Sequence, residues 1–529
     1  AVGDFDHIPL DDPATYERLR AGETIGAFQL ESPAQRALQT RLGANHIEDV
    51  VASVALIRPG PIRGNMVEPY IARRQGKEPV RYLHPALKEI LEKTYGVVLF
   101  QEQVIEIAVK VAGFTPGEAD QLRRVMTHHR SLKEMQALGR PFIEKCMARG
   151  ISRKVAETVF GYVVGYAGYG FCEAHAAAFG DTAYKTMYLL THHPAQFYAA
   201  ILSNQPMGFY SPNTLALEAR RRGIQIRLPD VNRSEKHFTV EEGGSAIRVG
   251  LMQIDGIAAA EIEALIAERK RAGAFRSLED FCARVRIRRN VLERMILCGC
   301  FDGLNPNRKA LLWQLDRSCL RNDADIPAGE PALLSCAPAL TPPRLPVGVE
   351  DYTDFEKFSH EARILGMNVQ CHVMAYYRQE LRRHRVFSSA EARHMAPGAL
   401  VNVAGVLIRP HRPPTRSGKT VVFFSLEDEH GLIDVTVFEE IYQKYGKVIF
   451  TEPALMVKGR IDRRGNGVSV TAQQIRALPR AYRRDALQTP EVSPQREQIP
   501  PLAQPAMPAP DAPGAYRHPC PGIVSREFG

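Results

Sequence analysis

The stretch "KTVVFFSLEDEHGLIDVTVFEE" (residues 419–440) decides the fold of the C-terminal third. Two runs rich in β-branched and aromatic residues flank Glu429-His430-Gly431, so the segment reads as a hairpin. Similar runs lie on either side: "ALVNVAGVLI" (399–408), "ALMVKGRID" (454–462) and "GVSVTAQQI" (467–475). One helical insert, "EEIYQKYGKVI", follows the third run. Five short strands with a helix after the third predict a small OB-type barrel over 399–480. Arg409, Arg412 and Lys419 fall in or beside the loop after the first strand, with His411 and Arg416 among them, and Phe423 stands on the next run. Basic groups beside rings suit single-stranded nucleic acid, whereas the same rings also serve as core.

Upstream the period becomes helical. The 529 residues exceed one ordinary core, and the chain should be modular: mostly α, with the small barrel after the helices. "TPGEADQLRRVM" (115–126) opens with Thr115 as a cap, Pro116 in the first turn and Glu118 three residues on, which predicts a helix carrying Arg123 and Arg124. Adjacent residues are about 100° apart on a helix, so both guanidiniums face one anion only where the helix lines a groove. The alternative is a basic helix end in water. "YGVVLFQEQV" (95–104) predicts a short β-rich run, Val97 to Phe100, before a helix. Residues 159–193 read as two helices joined by a Gly-rich turn, with His175 just beyond it.

Over 236–322 the apolar-x-Gly-apolar turn in "QIDGIAAAE" (253–261) predicts a helix-hairpin-helix, and "NVLERMILCGCFDGL" (290–304) resembles a second. Gly256 and Ile257 would present backbone N–H groups to a DNA phosphate. Residues 323–398 read as a linker with a helical segment, and 481–529, rich in Pro, Ala and Gln, as a disordered tail.

Net charge is +9 and the isoelectric point about 9.0, which favours a polyanionic partner. No apolar run is long enough to span a bilayer, and a membrane location is not expected. Nine scattered cysteines fit reduced thiols of a cytoplasmic protein better than a disulfide frame. Asp4-Phe5-Asp6 has Asp-x-Asp spacing in a loop-like setting, and Asp323 and Asp325 lie in the linker, so no metal cradle is expected in this chain.

Five motifs then stand in a characteristic order: "GETIGAFQLES" (22–32), "LIRPGPI" (56–62), "YGVVLFQEQV", "ADQLRRVM" and "GYGF…HAAAF" (168–179). In that order they resemble the C-terminal part of bacterial C-family DNA polymerases, the polymerase III alpha-subunit family. "NQPMGFYSP" (204–212) and the terminal "VSREFG" resemble the error-prone, damage-inducible branch.

The resemblance implies that residues 1–235 are polymerase fingers. Arg123 and Arg124 would meet the triphosphate of an incoming deoxynucleotide, with Arg58 and His175 near the nucleotide. The hairpins and barrel would hold primer-template DNA, and the complete enzyme would use Mg²⁺. A sliding clamp and other translesion proteins are conceivable partners.

Two departures accompany the resemblance. Thr127-His128-His129-Arg130 stands where replicative relatives carry Gly-Lys-Lys, and Cys172-Glu173-Ala174 stands for Asn-Lys-Ser. The resemblance implies that the palm with the catalytic aspartates lies upstream of Ala1, so that no catalytic residue is expected in this chain. The chain alone is therefore expected not to polymerise, and the competing expectation is a non-catalytic DNA-binding remnant or split subunit.

Overall fold

A computed structural model describes residues 5–57, 66–127, 132–166, 171–319, 349–412, 419–464 and 467–478. Arg58, His128 to Arg130, Gly168 to Gly170, Asp323, Asp325, Arg416 and the tail 481–529 lie outside the described residues. The chain forms two compact units: one holds the described parts of 1–192 and 385–478, the other those of 193–384.

In the first unit the helices are α1 (Pro13–Ala21), α2 (Pro33–Leu42), α3 (Ile47–Leu56), α4 (Val67–Arg74), α5 (Pro85–Leu91), α6 (Gln101–Glu106), α7 (Pro116–Thr127), α8 (Leu132–Ala148), α9 (Arg153–Tyr166) and α10 (Glu173–His192). Long α10 packs along α3, and the contact is close because Gly180 faces the backbone of Val51, leaving no room for a Cβ. The expected β-rich run Val97 to Phe100 is not a strand. It is extended, but the N–H groups of Leu99 and Phe100 donate to the Gln103 side chain at 2.8 and 3.0 Å. Gln103 in turn donates to the Ile90 carbonyl and the Thr94 hydroxyl. A buried side-chain amide thus replaces a neighbouring strand. After α6 the helix widens into a π-turn, Ile107–Val111, and ends at Gly113 with φ 74°.

Five strands make the barrel: β4 (Leu400–His411), β5 (Val421–Asp428), β6 (Gly431–Phe438), β7 (Ala454–Arg464) and β8 (Gly467–Ala477). They close in the order β4-β5-β6-β8-β7, with β6 and β8 parallel and the other pairs antiparallel. Helix α20 (Glu439–Thr451) follows β6, where the pattern predicts an insert. Along β5 Val422, Phe424 and Leu426 enter the core, Phe423 lies half-buried on the other face, and Ser425 on that face is itself buried and donates to Asp434. Gly405 lets β4 pass close to the Glu427 carbonyl, where a Cβ would collide.

The second unit carries α11 (Pro194–Ser203), α12 (Pro212–Arg221), a small sheet, and the hairpin region. The sheet is β1 (Gln225–Arg227), β2 (Thr239–Glu241) and β3 (Ala246–Arg248) in the order β1-β3-β2. The hairpin region follows as α13 (Ala259–Ala272), α14 (Leu278–Arg284), α15 (Arg289–Leu297) and α16 (Arg308–Cys319). The first hairpin is entered from a single 3-10 turn, Leu251–Gln253, rather than from a full helix.

Residues 349–398 hold the helices of the segment read as a linker with a helical part. They form α17 (Asp354–Leu365) and α18 (Val373–Arg383) in this unit, and α19 (Ser389–Arg393) in the first. Helix α17 packs on α15, and α19 packs on the barrel strands β4, β5 and β6. The apolar positions of these short helices are spaced among many charges, so the sequence underplays their burial. No helix among the described residues is long and apolar enough to cross a membrane.

Candidate nucleotide and nucleic-acid site

Helix α7 begins with the reciprocal cap that its sequence requires. The Thr115 N–H donates to Glu118 Oε2 at 2.8 Å, and the Glu118 N–H donates to Thr115 Oγ1 at 3.4 Å. Lys145 of α8 donates to both Glu118 oxygens, at 2.6 and 2.7 Å, and with the Thr115 bonds holds that carboxyl down to about 2. Ala119 and Leu122 are buried, which turns Asp120, Arg123 and Arg124 outward.

The two arginines converge. Arg123 donates to Asp120 Oδ1 from Nε at 2.9 Å and lies within 2.8 Å through Nη2, while Arg124 Nε donates to Oδ2 at 2.8 Å. The 100° offset is overcome because Asp120 lies three and four residues back, on the face between them. Arg123, foremost, and Arg124 hold the Asp120 carboxyl below its ordinary range. Arg123 is 38% exposed and Arg124 72%, so water reaches both side chains. Asp120 was missed from the sequence, although its spacing to the two arginines was there to be read.

His175 is exposed in the first turn of α10 and stands in a row of rings. Its ring centroid is 5.1 Å from Phe171 and 4.0 Å from Phe179, and Phe179 is 5.2 Å from Phe28. Phe28, itself 37% exposed, comes from "GETIGAFQLES", and its N–H donates to Thr186 Oγ1. Thus two of the five ordered motifs meet in one aromatic row. The i, i+4 spacing of His175 and Phe179 was legible in the sequence, but the arrival of Phe28 was not.

Glu102 of α6 fastens the start of α10, accepting from the Glu173 N–H at 2.9 Å and from Cys172 Sγ at 3.1 Å. A carboxylate there also complements the helix dipole. Cys172 and Glu173 accordingly take part in local structure.

At the first hairpin Gly256 has φ 80° and the Ile257 N–H donates back to the Ile254 carbonyl. The Ala258 N–H is already taken by Glu261 Oε2 at 2.8 Å. Two arginines from the next hairpin pin the turn: Arg288 Nη2 donates to the Gly256 carbonyl at 2.6 Å, and Arg294 Nη1 to the Asp255 carbonyl at 2.9 Å. Arg288 also grips both oxygens of Glu261, and is the largest influence holding that carboxyl down at about 2. Arg288 and Arg294 were not singled out from the sequence, because only the fold brings them to residues 255–257.

On the barrel, Arg409 is exposed with φ 45°, at a register shift between Ile408 and His411. His411 lies beside Phe423, ring centroids 5.6 Å apart. Arg412 donates to the Tyr442 hydroxyl at 3.1 Å, and Lys419 is exposed. Phe423 is half-buried on the outer face of β5. Tyr442, on α20, joins this surface and was not foreseen.

Among the described residues no group of three or more His, Cys, Asp or Glu is placed to hold a metal ion. Asp6 lies 3.8 Å from Lys185, which also pairs with Asp181 at 2.9 Å. A neighbouring ammonium opposes cation binding there.

Residues 2–150 match the bacterial DNA polymerase III alpha subunit finger domain, residues 223–311 a helix-hairpin-helix motif, and residues 401–478 an OB-fold nucleic acid binding domain. The chain is 51% identical over 519 residues to an error-prone DNA polymerase of Symbiobacterium thermophilum, covering 90% of this chain and 48% of that protein. With the error-prone DNA polymerase of Anaeromyxobacter dehalogenans strain 2CP-C it shares 38% identity over 489 residues, covering 90% and 42%. A similar protein of Bdellovibrio bacteriovorus is 35% identical over 493 residues, covering 89% and 45%. The chain spans about half the length of the relatives it matches.

Proposed function

Because the chain belongs by homology to the bacterial polymerase III alpha-subunit family and resembles its error-prone branch, we propose that it supplies the nucleotide-clamping and DNA-holding half of an error-prone DNA polymerase. The complete enzyme would add deoxynucleotides to a primer across damaged template, in the cytoplasm where the DNA lies. The observation that carries this reading is the convergence of Arg123 and Arg124 on one carboxylate within the finger region. Two guanidiniums that meet at one carboxylate can also meet at phosphate oxygens.

His175 and the Phe171, Phe179 and Phe28 rings offer an aromatic surface to a base or sugar. Arg288, Arg294, Arg409, Arg412 and Lys419 would meet DNA phosphates, with Phe423 and Tyr442 beside the single strand. Arg58 is proposed near the nucleotide on the family resemblance alone. The clamp and other translesion proteins remain candidate partners on the same footing.

Two-metal phosphoryl transfer needs converging carboxylates, which the described residues do not assemble. On the family resemblance Mg²⁺ would be held by the remainder of the enzyme, and the chain alone is proposed to be inactive. Primer extension by the isolated chain with Mg²⁺ and four deoxynucleotides should give no product, and extension above a no-protein control would overturn this.

Binding of the chain to primer-template is expected to weaken steeply with salt. Single-strand contacts should contribute a slope of about −0.7 in log K per log salt for each phosphate neutralised. Arg409→Ala combined with Arg412→Ala should flatten the slope by roughly one to two such contacts. An unchanged slope would remove the barrel from the interface.

A further inference from the structure

The arginine pair that is proposed to clamp a triphosphate already carries an anion of its own. Asp120 receives Arg123 and Arg124 on different oxygens, at 2.9 and 2.8 Å. The other acidic group of the same helix, Glu118, is engaged by Lys145 and the Thr115 cap. It therefore does not offer the arginines an equivalent second carboxylate. Asp120 is 40% exposed, so the pairs form in water-accessible surroundings, where each is weak enough to yield to a more highly charged ligand.

We propose that Asp120 is a resident counter-anion for Arg123 and Arg124: it orients both guanidiniums towards one point in the free protein and is displaced from at least one of them when a polyphosphate binds. This rests on the reading of the pair as a triphosphate clamp. Asp120 acts through the arginines and is a positioning residue. Its two effects oppose each other in binding. The carboxylate lowers the entropy cost of arranging two long side chains, yet it competes for the same N–H donors and repels an incoming oxyanion. Competition dominates in this setting, because the helix itself already restrains both Arg backbones and the ligand carries several charges to one.

The site thereby acquires selectivity by charge. A monoanion such as acetate or inorganic phosphate at low charge gains little by replacing an internal carboxylate, whereas a triphosphate reaches both arginines at once. Competition from Asp120 is then a property of the helix, independent of the residues that follow it.

The test is binding of inorganic triphosphate to the full 529-residue chain, followed by calorimetry at low salt. Asp120→Asn, nearly isosteric and uncharged, is expected to bind about three- to tenfold more tightly, since two exposed pairs of modest strength are removed from competition. Asp120→Glu, which keeps the charge, should remain near the starting affinity. Inorganic phosphate should show a smaller gain than triphosphate in Asp120→Asn. Thermal unfolding of each variant checks that α7 is intact.

Unchanged or weaker triphosphate binding by a folded Asp120→Asn overturns the proposal. The parent reading is judged separately by Arg123→Ala with Arg124→Ala. If that double variant binds triphosphate as well as the starting chain, the clamp itself is wrong and the counter-anion falls with it. If it binds poorly while Asp120→Asn is unchanged, the clamp stands and only the counter-anion fails.

Discussion

Triphosphate binding by this chain is expected to fall roughly thirtyfold when Arg123 and Arg124 are both replaced by alanine, a loss of about 2 kcal/mol. Bonds from a charged donor to a charged acceptor contribute about 1.5–3 kcal/mol each in protected sites. Here Arg123 is 38% and Arg124 72% exposed, so the pair is discounted well below the sum of two such bonds. The less exposed Arg123 should carry the larger share, and Arg124→Ala alone should cost only a fewfold. Lysine at both positions should recover part of the loss, because it keeps the charge but not the planar fork. Calorimetric titration with inorganic triphosphate at two salt concentrations reads both the affinity and its ionic component. A loss under about threefold in the double variant would return the pair to a solvated helix end.

Arg308→Ala is expected to destabilise the second unit by about 3–5 kcal/mol, the range for breaking a buried ion pair from one side. Arg308 is 1% exposed and opens α16. It donates to Asp302 through Nε at 2.9 Å and Nη2 at 2.6 Å, to Glu361 of α17 at 2.7 Å, and to the Leu297 carbonyl at 2.9 Å. Its backbone N–H reaches Asp351 Oδ1 at 3.0 Å. One guanidinium therefore ties the second hairpin to the segment after residue 348. Its removal leaves a buried Glu361 and a cavity together. A denaturant midpoint that moves by less than about 1 kcal/mol equivalent would mean that the two carboxylates find other partners.

The same cluster should make stability depend on pH. Burial pushes Glu361 up to about 7 from 4.5, against the opposing attraction of Arg308. The folded state then binds a proton more readily than the unfolded state between those values. The stabilisation is fully present below about 4.5 and is lost as pH rises through about 7, with a slope of at most about 1.4 kcal/mol per unit. Glu361→Gln should flatten that slope between pH 5 and 7 in denaturation curves. A slope that survives the substitution would place the titration elsewhere.

Much of the fold was legible because its signals are local. The β-branched and aromatic run Val421 to Phe424 specified β5, and the Thr115–Glu118 pattern specified the start of α7. The barrel followed from strand count and the position of α20. The run Val97 to Phe100 misled because an extended segment satisfies its N–H groups by any acceptor in reach, and Gln103 is nearer than a strand. In residues 349–398, read as the helical part of a linker, the helices are short and highly charged, so the sequence does not announce that α17 packs on α15. Order of motifs carried the family, and the comparisons over nine-tenths of the chain agree with it.

The site divides the same way. Amino-acid order alone determined the helix under Arg123 and Arg124, the turn at Gly256 and the strands around Phe423, since periodicity and capping depend on residues a few positions apart. Even Asp120 belongs with these, because its partners lie three and four residues away. Only the tertiary structure decided that Phe28 joins Phe179 and His175, that Arg288 and Arg294 hold residues 255–257, and that Arg308 meets Glu361. Those contacts join residues 32 to 151 positions apart in their outermost pairs, Gly256 to Arg288 and Phe28 to Phe179. Such pairs form only where packing removes water and leaves a charge or ring one partner to choose, and no local pattern records that choice.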